Sequence, residues 1–132
     1  MLQYPIKILL AFEESLSGNE DLSNWLLANG YQELAALSLS IRGSEEAFMW
    51  LLKNGYRHYA ALDSAIDDNI MAYKWLYNNQ YFFLAVLCDA CHNQAEAIEW
   101  LNKHDLQIFV MIAQKIRYFR DNQVYDYHKM HF

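Results

Sequence analysis

Tryptophan occurs four times in this chain, at Trp25, Trp50, Trp75 and Trp100, so that successive tryptophans stand 25 residues apart. Each is followed by leucine: Leu26, Leu51, Leu76 and Leu101. A fixed period of this length marks a stacked repeat, in which a short unit recurs and buries its apolar face on its neighbours. This restricts the architecture far more than any motif restricts the chemistry.

The register divides the chain into units 24–48, 49–73, 74–98 and 99–123. A partial unit, 1–23, precedes them, and 124–132 forms a C-terminal tail or cap, all in one domain spanning 1–132. Further columns repeat with the tryptophans. Tyr31, Tyr56, Tyr81 and Leu106 share one, and Leu34, Tyr59, Leu84 and Phe109 another. Ala35, Ala60, Ala85 and Val110 form a small-residue column, and Leu37, Leu62, Leu87 and Ile112 a large apolar one. Ile6, Leu9, Leu10, Phe12, Leu16 and Leu22 continue the register backwards.

Each unit predicts two short helices. In the second unit the first helix is expected over 45–54, with Ser44 as N-cap and Glu45 and Glu46 facing the helix dipole. Its counterparts start at Asn19, Asn69 and near Asn93 or Gln94. Asn54-Gly55 closes it, as Asn29-Gly30 closes the preceding one, because glycine takes the left-handed conformation at a helix end. The second helix is expected over 56–66, with Tyr56, Tyr59, Ala60 and Ile66 on one face. One proline and four glycines argue against an all-β chain. The expected fold is therefore all-α: an α-α solenoid of right-handed type, with about four and a half two-helix repeats. On this reading Trp50→Ala or Trp75→Ala removes a core side chain, costs about 3–5 kcal/mol and largely unfolds the domain.

The run from Ala60-Ala61-Leu62 through Ile66 and Asp68-Asn69 to Trp75-Leu76 resembles the two-helix part of an ankyrin repeat. In that family a helix with paired alanines meets a tight turn, and a second helix ends in a leucine pair and a glycine. An ankyrin unit is longer, at about 33 residues, and carries a β-hairpin. Here Gly30-Tyr31 and Gly55-Tyr56 lead straight into the next helix, and the TPLH signature is absent. The resemblance implies a hairpin-less protein-binding scaffold without catalysis.

Cys88-Asp89-Ala90-Cys91-His92 spells the haem c attachment pattern. The register favours a structural role instead. Cys91 shares its column with Ile41, Ile66 and Ile116, so it is expected to be buried. Cys88 shares one with Ser38, Asp63 and Ala113, expected to be more exposed, and His92 aligns with Arg42 and Asp67 in a polar turn. His128 and His131 stand three apart in the tail, and Glu13-Glu14, Glu45-Glu46 and Asp67-Asp68 are adjacent acids on different helix faces. No phosphate loop or nucleophile elbow is present. The expectation is no enzyme, no cofactor and no metal site. The alternative is a small-molecule or metal/cofactor-binding helical domain built on Cys88, Cys91 and His92.

The net charge is −6, and the densest basic stretch is Lys115, Arg117 and Arg120, too short for a nucleic-acid stripe. No secretory signal is seen, and no segment reaches the roughly 18 apolar residues of a membrane helix. A cytoplasmic protein with neither nucleic-acid nor membrane partners is expected.

What remains is a protein–protein interaction scaffold or adaptor, its partner unidentified. In a repeat array the recurring columns carry the fold and the varying exposed ones serve recognition. The varying pairs at the start of each second helix are Gln32-Glu33, Arg57-His58, Phe82-Phe83 and Gln107-Ile108. Candidate binding residues are therefore Arg57, His58, Phe82, Phe83, Gln107 and Ile108. The columns Ala36, Ala61, Val86, Met111 and Ser40, Ala65, Ala90, Lys115 are expected to line a shallow inner surface. An open stack also exposes its end faces, so a homodimer through an end face is a further expectation, with Tyr118, Phe119, Tyr125, Tyr127 and Phe132 as cap or contact.

Overall fold

The structure is a computed structural model that describes the backbone of residues 1–130 and the side chains of residues 1–122. Tyr125, Tyr127, His128, His131 and Phe132 therefore lie outside the described side chains. Among the described residues there are nine α-helices and no strand: α1 (Ile6–Ser15), α2 (Glu20–Ala28), α3 (Gln32–Ile41), α4 (Glu45–Lys53), α5 (Arg57–Ile66), α6 (Ile70–Asn78), α7 (Phe82–Cys91), α8 (Ala95–Lys103) and α9 (Gln107–Met130).

The helix starts follow the capping chemistry. Asn19, Ser44 and Asn69 each accept a hydrogen bond from the backbone N–H three residues on. Gln94 opens α8 without a side-chain cap. At the other end of the same helices, Asn29, Asn54 and Asn79 donate through Nδ2 to the carbonyls of Trp25, Trp50 and Trp75. His104 places Nδ1 2.8 Å from the Trp100 carbonyl in the equivalent position. Every turn between helices uses one residue at positive φ. Glycine serves at 18, 30, 43 and 55, while Asp68, Gln80, Asn93 and Asp105 serve in later turns. Gly18 has a second reason to lack a side chain: a Cβ there would stand 2.8 Å from Arg42 Nη2.

The odd-numbered helices form an inner set. α1 packs on α3, α3 on α5, α5 on α7 and α7 on α9. The cycle then closes, because α9 packs on α1. The four even-numbered helices lie outside, each against the two inner helices that flank it in sequence. An open stack with two free end faces is thus not what forms; its two terminal inner helices face each other. α9 continues as one helix to Met130, past the last repeat unit and into the expected tail or cap.

The core is the space the inner helices enclose. Phe12, Leu37, Leu62, Leu87 and Ile112, one column, are all at most 1% exposed. Leu9, Leu34, Tyr59, Leu84 and Phe109 are buried beside them, as are Leu16, Ile41, Ile66, Cys91 and Ile116. The outer helices reach this core through the leucine after each tryptophan: Leu26, Leu51, Leu76 and Leu101 are 0% exposed. The tryptophans sit one step further out. Trp25, Trp50 and Trp75 are half-buried, and Trp100 is 40% exposed. The leucines, rather than the tryptophans, make the deepest outer-helix contacts.

Candidate interaction surface

Joints between successive inner helices set the frame on which any surface is displayed. One residue near the end of each inner helix meets a residue of the next helix 23 positions on. Ser15 Oγ donates to Ser38 Oγ at 2.9 Å, and Ser40 donates to Asp63. Ala65 and Cys88 stand at the corresponding positions of the third joint, both buried. At the α9–α1 joint the same two columns supply Lys115 and Glu13, whose Nζ and Oε1 lie 3.3 Å apart. Lys115 Nζ also donates to Ser17 Oγ. The closing joint therefore repeats the internal ones in register, with an ion pair where they hold hydroxyls, the Asp63 carboxyl or small side chains.

These joints correct two expectations. Cys88 belongs to a column that is buried throughout, with Ser38 at 0%, Asp63 at 7% and Cys88 itself at 1% exposure. The reason is that this face of each inner helix is covered by the preceding inner helix. The column Ser40, Ala65, Ala90 lines no inner surface for a partner either, because all three residues are buried in the same joints. Burial also pushes the Cys88 thiol up to about 12 and raises that of Cys91. His92 is turned to the end of α5, with Nε2 2.8 Å from the Ile66 carbonyl and 3.3 Å from Asp68 Oδ1. Among the described residues no group of three His, Cys, Asp or Glu side chains is arranged to hold a metal ion.

Asp63 has a pH consequence. Burial, partly offset by the Ser40 hydroxyl, pushes its carboxyl from 3.8 up to about 6. The folded chain therefore holds this proton more tightly than the unfolded chain. The associated stability is fully present below about pH 4 and is lost as pH rises to about 6, a difference of roughly 3 kcal/mol. Asp63→Asn, which keeps an acceptor for Ser40, is expected to raise the melting temperature at pH 7.5 and to flatten its change between pH 4 and 6. Melting curves of both proteins across that range check this.

The basic stretch near the C-terminus is engaged with acids. Besides the Lys115 pair, Arg117 Nε lies 3.9 Å from Asp121, and Arg120 reaches Asp67 at 3.5 Å and Asp68 at 3.2 Å. Arg42 donates to the Leu16 carbonyl and lies over the Phe119 ring, 5.0 Å from its centroid. Residues 115–120 of α9 are thus tied to the C-terminal ends of α1, α3 and α5. Tyr118 is 70% exposed.

The outer face carries grooves that repeat with the sequence. One of about 440 Å³ is lined by Leu27, Gln32, Ala35, Ala36, Leu39, Ser44, Glu46, Ala47 and Trp50. A second, of about 360 Å³, is lined by the same columns one unit on: Leu52, Arg57, Ala60, Ala61, Ser64, Asn69, Met71, Ala72 and Trp75, with Phe48. The alanine pairs form the floor and let flanking outer helices form the walls. Floor and tryptophan recur, whereas Gln32/Arg57, Leu39/Ser64 and Glu46/Met71 change size or charge.

The six residues singled out from the sequence divide between this surface and the core. Arg57 is exposed in the second groove, its guanidinium 4.9 Å from the Trp75 ring centroid. Phe82, the next in that column, is 54% exposed and meets Tyr77 edge-on at 5.7 Å. Gln107 is exposed at the start of α9. The other three turn inwards. His58 is half-buried and stacks on Tyr81 at 5.0 Å, Phe83 packs edge-on against Phe109 at 4.8 Å, and Ile108 is 8% exposed. Adjacent positions on a helix point about 100° apart, so one member of each pair is exposed and the other turns towards the core. Trp50, Trp75, Leu27 and Leu52 read as core because they are apolar at repeating positions; Met71 stands in a column that otherwise holds Glu46 and Glu96, which is the signal that marks it as a surface residue.

No protein-family model matches the chain, and no curated protein or solved structure does either.

Proposed function

We propose that the chain is a helical-repeat interaction module that binds a protein partner through its outer grooves and performs no chemistry of its own. The observation that carries this reading is the pair of grooves built from the same columns one unit apart, with constant alanine floors and variable rims. A rigid frame with a repeated, individually varied surface suits recognition of an extended partner. The exposed apolar residues at these rims, Leu27 at 45%, Leu52 at 40% and Met71 at 74%, are the kind that anchor interfaces. The two-helix units fit a hairpin-less ankyrin-like origin: the alanine pair lies in the inner helix, and a three-residue turn leads to the outer one. Two unpaired thiols suit the reducing cytoplasm. No described helix is long and apolar enough to cross a membrane.

Two substitutions separate surface from frame. Phe82→Ser is expected to leave the melting temperature nearly unchanged. Phe83→Ser removes the contact with Phe109 and is expected to cost about 2–3 kcal/mol. Thermal melts of the two variants check this. For function, Met71→Asp and Phe82→Ser should each reduce recovery of specific cross-linked partners from native extract, with the fold intact. Partners recovered equally by wild type and both variants would overturn the groove reading.

A further inference from the structure

Five joints link the inner helices, but only four outer helices cover them. α2, α4, α6 and α8 each span two consecutive inner helices. Among the described residues the α9–α1 joint has no such cover, since α9 runs on to Met130 as a single helix. The consequence is visible at equivalent positions. Ala35, Ala60 and Ala85 are at most 1% exposed beneath outer helices, whereas Leu10, in the same column of α1, is 42% exposed. Ala36 is 8% exposed, and its counterpart Met111 in α9 is 45% exposed. Ile6 at 65% and Tyr118 at 70% extend this strip along the two helices. Helical spacing places Ile6, Leu10, Glu13 and Ser17 on the side of α1 facing α9, and Met111, Lys115 and Tyr118 on the side of α9 facing α1. A cleft of about 570 Å³ lies at one end of this strip, lined by Glu13, Leu16, Met111, Lys115, Tyr118 and Arg42 among others.

From this arrangement we infer that the α9–α1 joint is a docking seat for one amphipathic helix of a partner protein, held where a fifth outer helix would lie. The four resident outer helices define what fits. Each presents a small or apolar residue followed four positions later by a fully buried leucine: Leu22 and Leu26, Ala47 and Leu51, Ala72 and Leu76, Ala97 and Leu101. Each starts beside the C-terminal end of the inner helix before it. At the open seat this end is lined by the Lys115–Glu13 pair and by Arg42, which donates to the Leu16 carbonyl. The partner helix that fits has the first turn of the residents α2, α4 and α8, which carry acids against their own helix dipole in Glu20 and Asp21, Glu45 and Glu46, and Glu96. The seat continues the row of outer-helix interfaces and is separate from the outer grooves, so either reading can fail alone.

The test uses a fluorescent peptide of residues 44–54, held helical by a lactam between a glutamate replacing Met49 and Lys53. Fluorescence anisotropy against the full chain should show saturable binding. A Leu10→Glu/Met111→Glu variant with an unchanged circular dichroism spectrum should bind at least tenfold more weakly. Both positions are exposed, so the variant is expected to fold; should it not, Leu10→Gln/Met111→Gln serves in its place. Equal affinity for wild type and the variant, or no binding at millimolar peptide, would overturn the seat. So would a wild-type dimer in light scattering that the Leu10→Glu/Met111→Glu variant dissolves, because the occupant would then be a second copy.

Discussion

Leu62→Ala is expected to destabilise the protein by about 3–5 kcal/mol, lowering the melting temperature by more than about 10 °C. Leu62 lies in the column that all five inner helices direct at the common core, and it is 0% exposed. Its neighbours in that column are Leu37 and Leu87, on the two helices that pack against α5. None of these helices can move into the space without opening a joint with the next one. A closed arrangement therefore relaxes poorly around a cavity, which places the cost at the upper part of the usual range. Chemical denaturation with a linear fit to a single transition checks both the size of the loss and the cooperativity. A loss under 1 kcal/mol would mean that the inner helices do not share one core.

Lys115→Met is expected to cost about 2–3 kcal/mol, a fall of roughly 8–12 °C in melting temperature. The lysine is the partner of Glu13, which is 7% exposed, and its loss leaves a carboxylate in a joint with no cation. Lys115 is itself 30% exposed, so solvent screening holds the effect below that of a fully buried pair. Most of the cost is the stranded charge rather than the attraction lost. The double variant Glu13→Gln/Lys115→Met should accordingly recover much of the stability, and a double-mutant cycle over the two sites measures the coupling. A loss in the double variant equal to the sum of the two single losses would place the two residues in unrelated environments.

Much of the local structure was legible because it depends on residues close in sequence. The observed α4, at 45–53, ends within one residue of its expected span, and α5 starts one residue after its own. Asn19, Ser44 and Asn69 cap as their chemistry requires. The closing of the inner cycle was not legible from the period, because a 25-residue repeat specifies a unit but not the rotation from one unit to the next. That rotation is set where side chains of successive inner helices meet. A signal for it was nonetheless present. The Ser15, Ser40, Ala65, Ala90 column ends in Lys115, and the Ser38, Asp63, Cys88, Ala113 column begins in Glu13. Opposite charges at the two open ends of columns that otherwise pair with each other are what a closed cycle requires.

The tryptophans carried the register but misdirected the search for the surface. Their regularity read as core, whereas Trp50 and Trp75 form walls of the outer grooves. Tryptophan is large enough to do both, stacking one face on Tyr56 or Tyr81 while the rest lines a groove. The varying pairs were found at the right place on the helix, yet only their first members, Arg57, Phe82 and Gln107, reach the exterior. Which member faces out depends on the phase of the helix against its neighbours, and that is settled by tertiary packing.

The claim on which the rest depends is that α9 lies against α1. Spin labels on cysteines introduced at Glu14 and Gln114, both exposed, measure it by double electron–electron resonance. The native thiols are buried and need no replacement. Adjacent packed helices lie about 8–10 Å apart, so a closed cycle predicts a single narrow distance population below about 25 Å, label arms included. An open stack would put four joints between the labels, and a population centred near about 40 Å would contradict the closed arrangement.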